Sequence, residues 1–178
     1  MEDLSLHVLD VVENATRAGA TLIEIEIRED KSKDLLQIAI RDNGRGMDTH
    51  MLKRATDPFA TTRTTRRVGL GLPLLEQAAK EAGGHLLIES EPKRGTRVLA
   101  TFQMSHVDRR PVGDMGATLT TLIMGNPDRD FVYFSNLGKE EIEVDTRSIR
   151  RELDGSLRID DPAVISLIKE LFKNSPRN

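Results

Sequence analysis

The 178-residue chain has no cysteine and no tryptophan, with one tyrosine and five phenylalanines. Lack of cysteine excludes a disulfide scaffold, a thiol nucleophile, a thiolate zinc site and an iron–sulfur cluster. Aromatics at 3% leave little material for a base-stacking surface or an aromatic cage. Neither sign of charge dominates, because 26 Lys and Arg stand against 29 Asp and Glu, a net charge of -3. Neutralising nucleic-acid phosphates needs a basic surplus, so no nucleic-acid partner is expected. No apolar run approaches the roughly 20 residues of a membrane span, so no membrane partner is expected either. The start, Met1-Glu2-Asp3-Leu4, lacks the basic residues and apolar core of a signal peptide. The expectation is a soluble cytoplasmic protein, long enough to bury a core without covalent staples.

What is present is strongly patterned. Leu4, Val8, Val11 and Ala15 share one face of a helix that runs to about Ala18, with Gly19 able to cap it. Ile23, Ile25 and Ile27 then alternate with Glu24, Glu26 and Arg28, and Leu36, Ile38 and Ile40 alternate after a polar turn. That period of two predicts an antiparallel hairpin. Asp48 is set to cap a short helix through Ala55. Pro73 to Ala82 reads as a helix stopped by Gly83-Gly84, followed by strands at Leu86 to Glu89 and Thr96 to Phe102. A boundary near Ser105 to Gly113 leads to a second block. There a helix begins at Asp114, a hairpin turns at Asn136-Leu137-Gly138, Asp145 caps a helix through Leu153, and Asp161-Pro162 opens the last helix.

Four features carry chemistry. Asp10, Glu13, Asn14 and Arg17 form one polar stripe opposite the apolar face of the first helix, either a solvated surface or the wall of a site. Asp42-Asn43-Gly44-Arg45-Gly46 follows a strand directly. It is either an ordinary tight turn or a loop that holds a carboxylate where it accepts from an exocyclic amino group, with glycines letting the backbone come close to a ligand. Gly69-Leu70-Gly71-Leu72 opens a helix, a place where free amides and the helix dipole suit a phosphate. Gly95-Thr96 enters the last strand of the first block, where a threonine either favours the strand or reaches a base.

In order and spacing, these features resemble the nucleotide-binding domain of the GHKL superfamily, which includes DNA gyrase, heat-shock chaperone ATPases, sensor histidine kinases and the mismatch-repair protein MutL. Leu9 to Ala20 resembles the family's N box, in its MutL version particularly, and Ile40 to Met47 resembles the first glycine box. Asp57-Pro58-Phe59-Ala60-Thr61-Thr62 resembles the F box of histidine kinases. Gly69 to Leu74 with Glu81 to His85 resembles the second glycine box and its helix, and Glu89 to Thr96 the closing hairpin. The resemblance covers residues 1 to about 103. It implies an α+β fold, the Bergerat two-layer α/β sandwich, with a mixed, mostly antiparallel sheet and helices on one face. The corresponding division is a histidine kinase-like ATP-binding domain over 1–104 and a small α+β extension over 105–178.

The resemblance also implies ATP and Mg²⁺ as cofactors. Asn14 would offer its amide oxygen to the metal, and Arg17 would lie near the phosphates. Asp42 would bind the adenine amino group, Gly44 and Gly46 would turn beneath the base, and Met47 would wall it. Phe59, Thr61 and Thr62 would start the lid; Gly69, Leu70, Gly71 and Leu72 would wrap the phosphates, and Thr96 would complete the adenine site. Asp10 stands where gyrase-like and MutL-like members carry the glutamate that activates water, one methylene shorter, and Glu13 is the other catalytic candidate. Arg67 replaces the usual first glycine of the second glycine box, and a nine-residue lid, 60–68, carries Arg63, Arg66 and Arg67. No dimerisation helix with a phosphoaccepting histidine precedes residue 1, so a phosphoacceptor is expected on a separate protein partner. The implied function is a stand-alone ATPase or protein kinase; the alternative is a non-catalytic module gated by ATP. Oligomeric state stays open, a dimer included.

Overall fold

The computed structural model describes residues 3–57 and 70–174. Among these described residues thirteen elements follow in chain order: α1 (Leu4–Arg17), β1 (Leu22–Asp30), a 3-10 turn (Lys31–Lys33), β2 (Leu35–Asp42), α2 (Thr49–Lys53), α3 (Gly71–Glu81), β3 (Leu86–Glu91), β4 (Gly95–Gln103), α4 (Met115–Gly125), β5 (Asp130–Leu137), β6 (Glu140–Asp145), α5 (Thr146–Leu153) and α6 (Pro162–Leu171). The six strands form one sheet in the order β3-β4-β2-β1-β5-β6. All neighbours are antiparallel except β1 and β5, which run parallel from Leu22↔Asp130 to Arg28↔Asn136.

The period-two strands behave as their patterns demand. Ile23, Ile25 and Ile27 of β1 and Leu36, Ile38 and Ile40 of β2 are buried on one face. The other face carries charge: Arg28 pairs with Glu26 and lies over the Phe134 ring, and Arg97 pairs with Glu89. Helices cover the apolar face, where α1 packs against α3 and α4, and α4 against α6. The Val8, Val12, Leu75, Leu119, Ile123 and Ile168 side chains join the sheet in one core. This is the expected two-layer α+β sandwich.

Local chemistry explains most helix limits. Among the described residues, aspartate caps every α-helix but one: Asp3, Asp48, Asp114, Asp145 and Asp161 each accept a first-turn amide. The exception, α3, begins at Gly71 rather than at Pro73, with no side-chain cap at Leu70. A proline in the first turn lacks an N–H that would have had no helical partner, so it does not mark the start. The helix after Asp48 closes at Lys53, two residues short of the expected Ala55.

The sheet crosses the boundary read near residue 105. Strands β5 and β6 extend the sheet built by β1 to β4. The stretch between β4 and α4 is tied down: the Pro111 and Val112 carbonyls accept from the Leu4 and Ser5 amides, which are first-turn donors of α1. Arg110 donates to His7 Nε2 at 2.9 Å and pairs with Glu81 of α3 at 3.4 Å. His7 is thus a buried structural residue.

Candidate functional site

The loop that ends β2 is stitched in place from three sides. Asn43 Oδ1 accepts from the Thr21 and Leu22 amides, bracing the loop against the start of β1. The Arg45 amide donates to the Ala18 carbonyl at the end of α1, and the Arg45 carbonyl accepts from the Lys93 amide of the β3–β4 turn. The Met47 amide donates to Ser90 Oγ of β3 at 2.8 Å. Gly46 has φ +66°, and a Cβ there would overlap the Glu91 carbonyl oxygen, so the close approach of loop to turn requires glycine.

The loop, α1, α2 and β4 enclose a cavity of about 460 Å³. Asp42 stands at its floor at the last position of β2, paired in register with Thr96 of β4. Asp42 Oδ1 accepts from the Gly44 amide at 2.7 Å. Burial lifts the Asp42 carboxyl above its ordinary value, opposed by the Gly44 and Thr96 amides. Val11, Ala15, Met47, Met51, Leu72 and Val98 supply apolar walls. Asn14 lines the α1 side, and Arg17, Arg45 and Arg54 supply positive charge.

Seven of the residues singled out from sequence therefore meet in one cavity: Asn14, Arg17, Asp42, Gly46, Met47, Leu72 and Thr96. Gly44 lies behind them, and a Cβ on it would come 2.9 Å from Asp42 Oδ1 and 3.0 Å from Ala18. Asp10 and Glu13 are not among the lining residues. A Cβ on Gly71 would come 2.8 Å from the Asp10 Cβ, so α3 starts directly against Asp10. Glu13 is paired with Arg17 at 3.0 Å, both about half exposed. Leu70 is exposed at the α3 N-cap. Phe59, Thr61, Thr62 and Gly69, with the whole 60–68 lid, lie outside the described residues.

Sequence reasoning missed the contribution of α2 and the turn that follows it. His50 and Met51 of α2, with Arg54 and Ala55 just past its end, line the cavity, and their one-, three- and four-residue spacing is the signal that puts them on a common side. Ser90 was missed too, because its importance comes from cross-strand and cross-loop partners.

A family profile described as "Histidine kinase-, DNA gyrase B-, and HSP90-like ATPase" (HATPase_c) matches residues 2–106, more than half of the chain. The chain belongs to that family. The chain is 33% identical over 113 residues to a "Putative sensor protein" of Shewanella frigidimarina, a match covering 60% of this chain and 17% of that protein. It is 39% identical over 89 residues to "Sensor protein kinase FleS" of Pseudomonas aeruginosa, covering 50% and 22% respectively. It is 28% identical over 111 residues to "Tetrathionate sensor histidine kinase TtrS" of Salmonella typhimurium, covering 61% and 18%. The chain thus spans about a fifth of the length of these relatives. A solved structure, "Crystal Structure of N terminal domain of a DNA repair protein", superposes with a TM-score of 0.56 at 17% identity over 81% of this chain and 52% of that one. That likeness concerns the fold, and it extends beyond the HATPase_c match into the C-terminal block.

The residues present fit the nucleotide and metal that the family implies. A carboxylate on an apolar-walled floor suits an amino-bearing base, and arginines suit a triphosphate. Among the described residues no group of three or more His, Asp or Glu is placed to hold a metal. Asn14, on the α1 side of the cavity, offers an amide oxygen of the kind that Mg²⁺ takes together with phosphate oxygens. Among the described residues, no helix is long and apolar enough to cross a membrane.

Proposed function

We propose that the cavity binds Mg-ATP and that the chain acts as an ATPase or a protein kinase on a separate partner. The observation that carries the reading is the meeting of Asp42, Thr96 and Asn14 around one cavity, on three elements far apart in sequence. Asp42 would accept the adenine amino group, with Thr96 beside it. Asn14 would offer its amide oxygen to the metal. Arg17, Arg45 and Arg54 would set the triphosphate by charge, the part that positioning plays in phosphoryl transfer. Bound Mg²⁺ supplies charge neutralisation of the phosphate oxygens. Asp10 is the candidate base for hydrolysis; its short carboxylate must come within hydrogen-bond reach of a water to act.

Calorimetric titration with Mg-ATP tests binding, and γ-labelled ATP, followed as free phosphate and as labelled protein with and without cell extract, tests transfer. The reading predicts binding that Asn14→Ala and Asp42→Asn weaken, and turnover that Asn14→Ala abolishes. Asp10→Asn should lower hydrolysis far more than affinity; equal turnover removes Asp10 as base.

A second reading, a non-catalytic module gated by ATP with residues 105–178 as its interaction part, is favoured by one observation: Pro111 and Val112 hold the first turn of α1, the helix that carries Asn14. It predicts Mg-ATP binding without turnover and a changed protease pattern in the C-terminal block.

A further inference from the structure

Ser90 Oγ sits behind the floor of the cavity with three partners. It accepts from the Met47 amide at 2.8 Å, donates to the Gly95 carbonyl at 2.9 Å and lies 2.9 Å from Thr96 Oγ1. A serine hydroxyl has one proton and two lone pairs. The Gly95 carbonyl can only accept, so the Ser90 proton goes there. The Met47 amide can only donate, so it takes one lone pair. The other lone pair faces Thr96 Oγ1, which must then donate. The Thr96 proton is spent on Ser90, and Thr96 can only accept toward the cavity it lines. Asp42, its partner in register, is an acceptor as well when ionised.

We infer that Ser90 is a specificity-determining positioning residue: by taking the Thr96 proton it leaves the floor with acceptors alone, so the cavity takes a purine nucleotide with a 6-amino group over one with a 6-oxo group. An amino group donates to such a floor, whereas a 6-oxo group brings a third acceptor against two. A site whose buried polar groups are left unpaired by the wrong ligand discriminates strongly. The inference rests on the reading of the cavity as a purine-nucleotide site.

The test compares Mg-ATP with Mg-ITP, which differ at the 6-position, by calorimetry on the full chain and its variants. The wild-type chain should bind Mg-ATP about tenfold or more tightly than Mg-ITP, the order set by one or two hydrogen bonds. Ser90→Ala frees the Thr96 proton and should lower that ratio, while Ser90→Thr keeps the hydroxyl and the ratio. Thr96→Val, nearly isosteric, keeps the test sharp if Ser90→Ala does not fold. Losing an acceptor should lower the ATP-to-ITP ratio; had Thr96 been donating to the ligand, the ratio would rise, and the proposal would be overturned. An unchanged ratio in Ser90→Ala overturns it equally. Binding of both nucleotides by the wild-type chain with no preference removes this proposal alone. Binding of neither removes the nucleotide reading itself.

Discussion

Burial lifts the Asp42 carboxyl while the amides of Gly44 and Thr96 pull it down, and burial prevails. A folded-state value above the unfolded one contributes stability that is complete below the ordinary value of 3.8 and is lost as pH rises through the lifted value. At neutral pH the ionised carboxylate is therefore a burden on the fold. Asp42→Asn should raise the melting temperature at pH 7, because the amide oxygen still accepts from Gly44 without the charge. The same change should weaken Mg-ATP by about tenfold or more, the weight of a charge-assisted hydrogen bond. Thermal melts and calorimetry on one preparation check the two opposite signs. Tyr133, the chain's single tyrosine, gives a second readout. It is buried on β5 with its ring 5.2 Å from that of Phe172, and burial pushes its phenol up to about 12. Its contribution is complete below the ordinary value of 10.0 and is lost as pH rises through about 12. Phenolate absorbance should accordingly appear in the alkaline range together with loss of circular dichroism, and a titration that precedes unfolding would contradict this burial.

The α1–α3 contact is the element-scale feature that the site leans on. Because a Cβ on Gly71 would stand 2.8 Å from the Asp10 Cβ, Gly71→Ala must push the two helices apart. Overpacking of this kind costs about 1–3 kcal/mol, and here it should also reduce nucleotide affinity, since α1 carries Asn14. Gly125, at the last position of α4, has nothing within 4 Å of such a Cβ. Gly125→Ala should be neutral or stabilising by up to about 1 kcal/mol, with affinity unchanged. Urea unfolding of both variants decides the comparison. Elements whose logic is local were legible in the sequence. The hairpins of β1–β2, β3–β4 and β5–β6 follow from alternation and turn residues, and the helices after Asp48, Asp114, Asp145 and Asp161 follow from their caps. The start of α3 was misplaced because proline is a strong local signal that the first helical turn nonetheless tolerates. In the cavity, Asn14 and Asp42 stood out by spacing and by adjacency to a strand end. Ser90 did not, since inside the alternating run Leu86–Glu91 a serine looks like any polar strand position until Met47, Gly95 and Thr96 are seen around it.

At the scale of the whole molecule, the parallel pairing of β1 with β5 could not be read from sequence. Nothing local couples Leu22 to Asp130, and the polar stretch before Gly113 looks like a free connection until Pro111 and Val112 are found on the first turn of α1. The consequence is mechanical unity. A chain truncated after His106 would lose α4 from over α1 and would leave one side of β1 without its ladder partner. Although it retains every residue of the HATPase_c match, it should be insoluble or unfolded, as circular dichroism and sedimentation would show. A truncated form as stable as the full chain would mean that the C-terminal strands are dispensable.

The same pairing sets a clock on biosynthesis. A ribosome adds about 5–20 residues per second, so roughly 100 residues separate the emergence of β1 from that of β5 by about 5–20 s. Throughout that interval a nascent polypeptide would present the isoleucine-rich β1 with an open hydrogen-bonding side. The glutamates and arginine on its outer face, Glu24, Glu26 and Arg28, then act as gatekeepers for the growing chain before they become surface of the finished one.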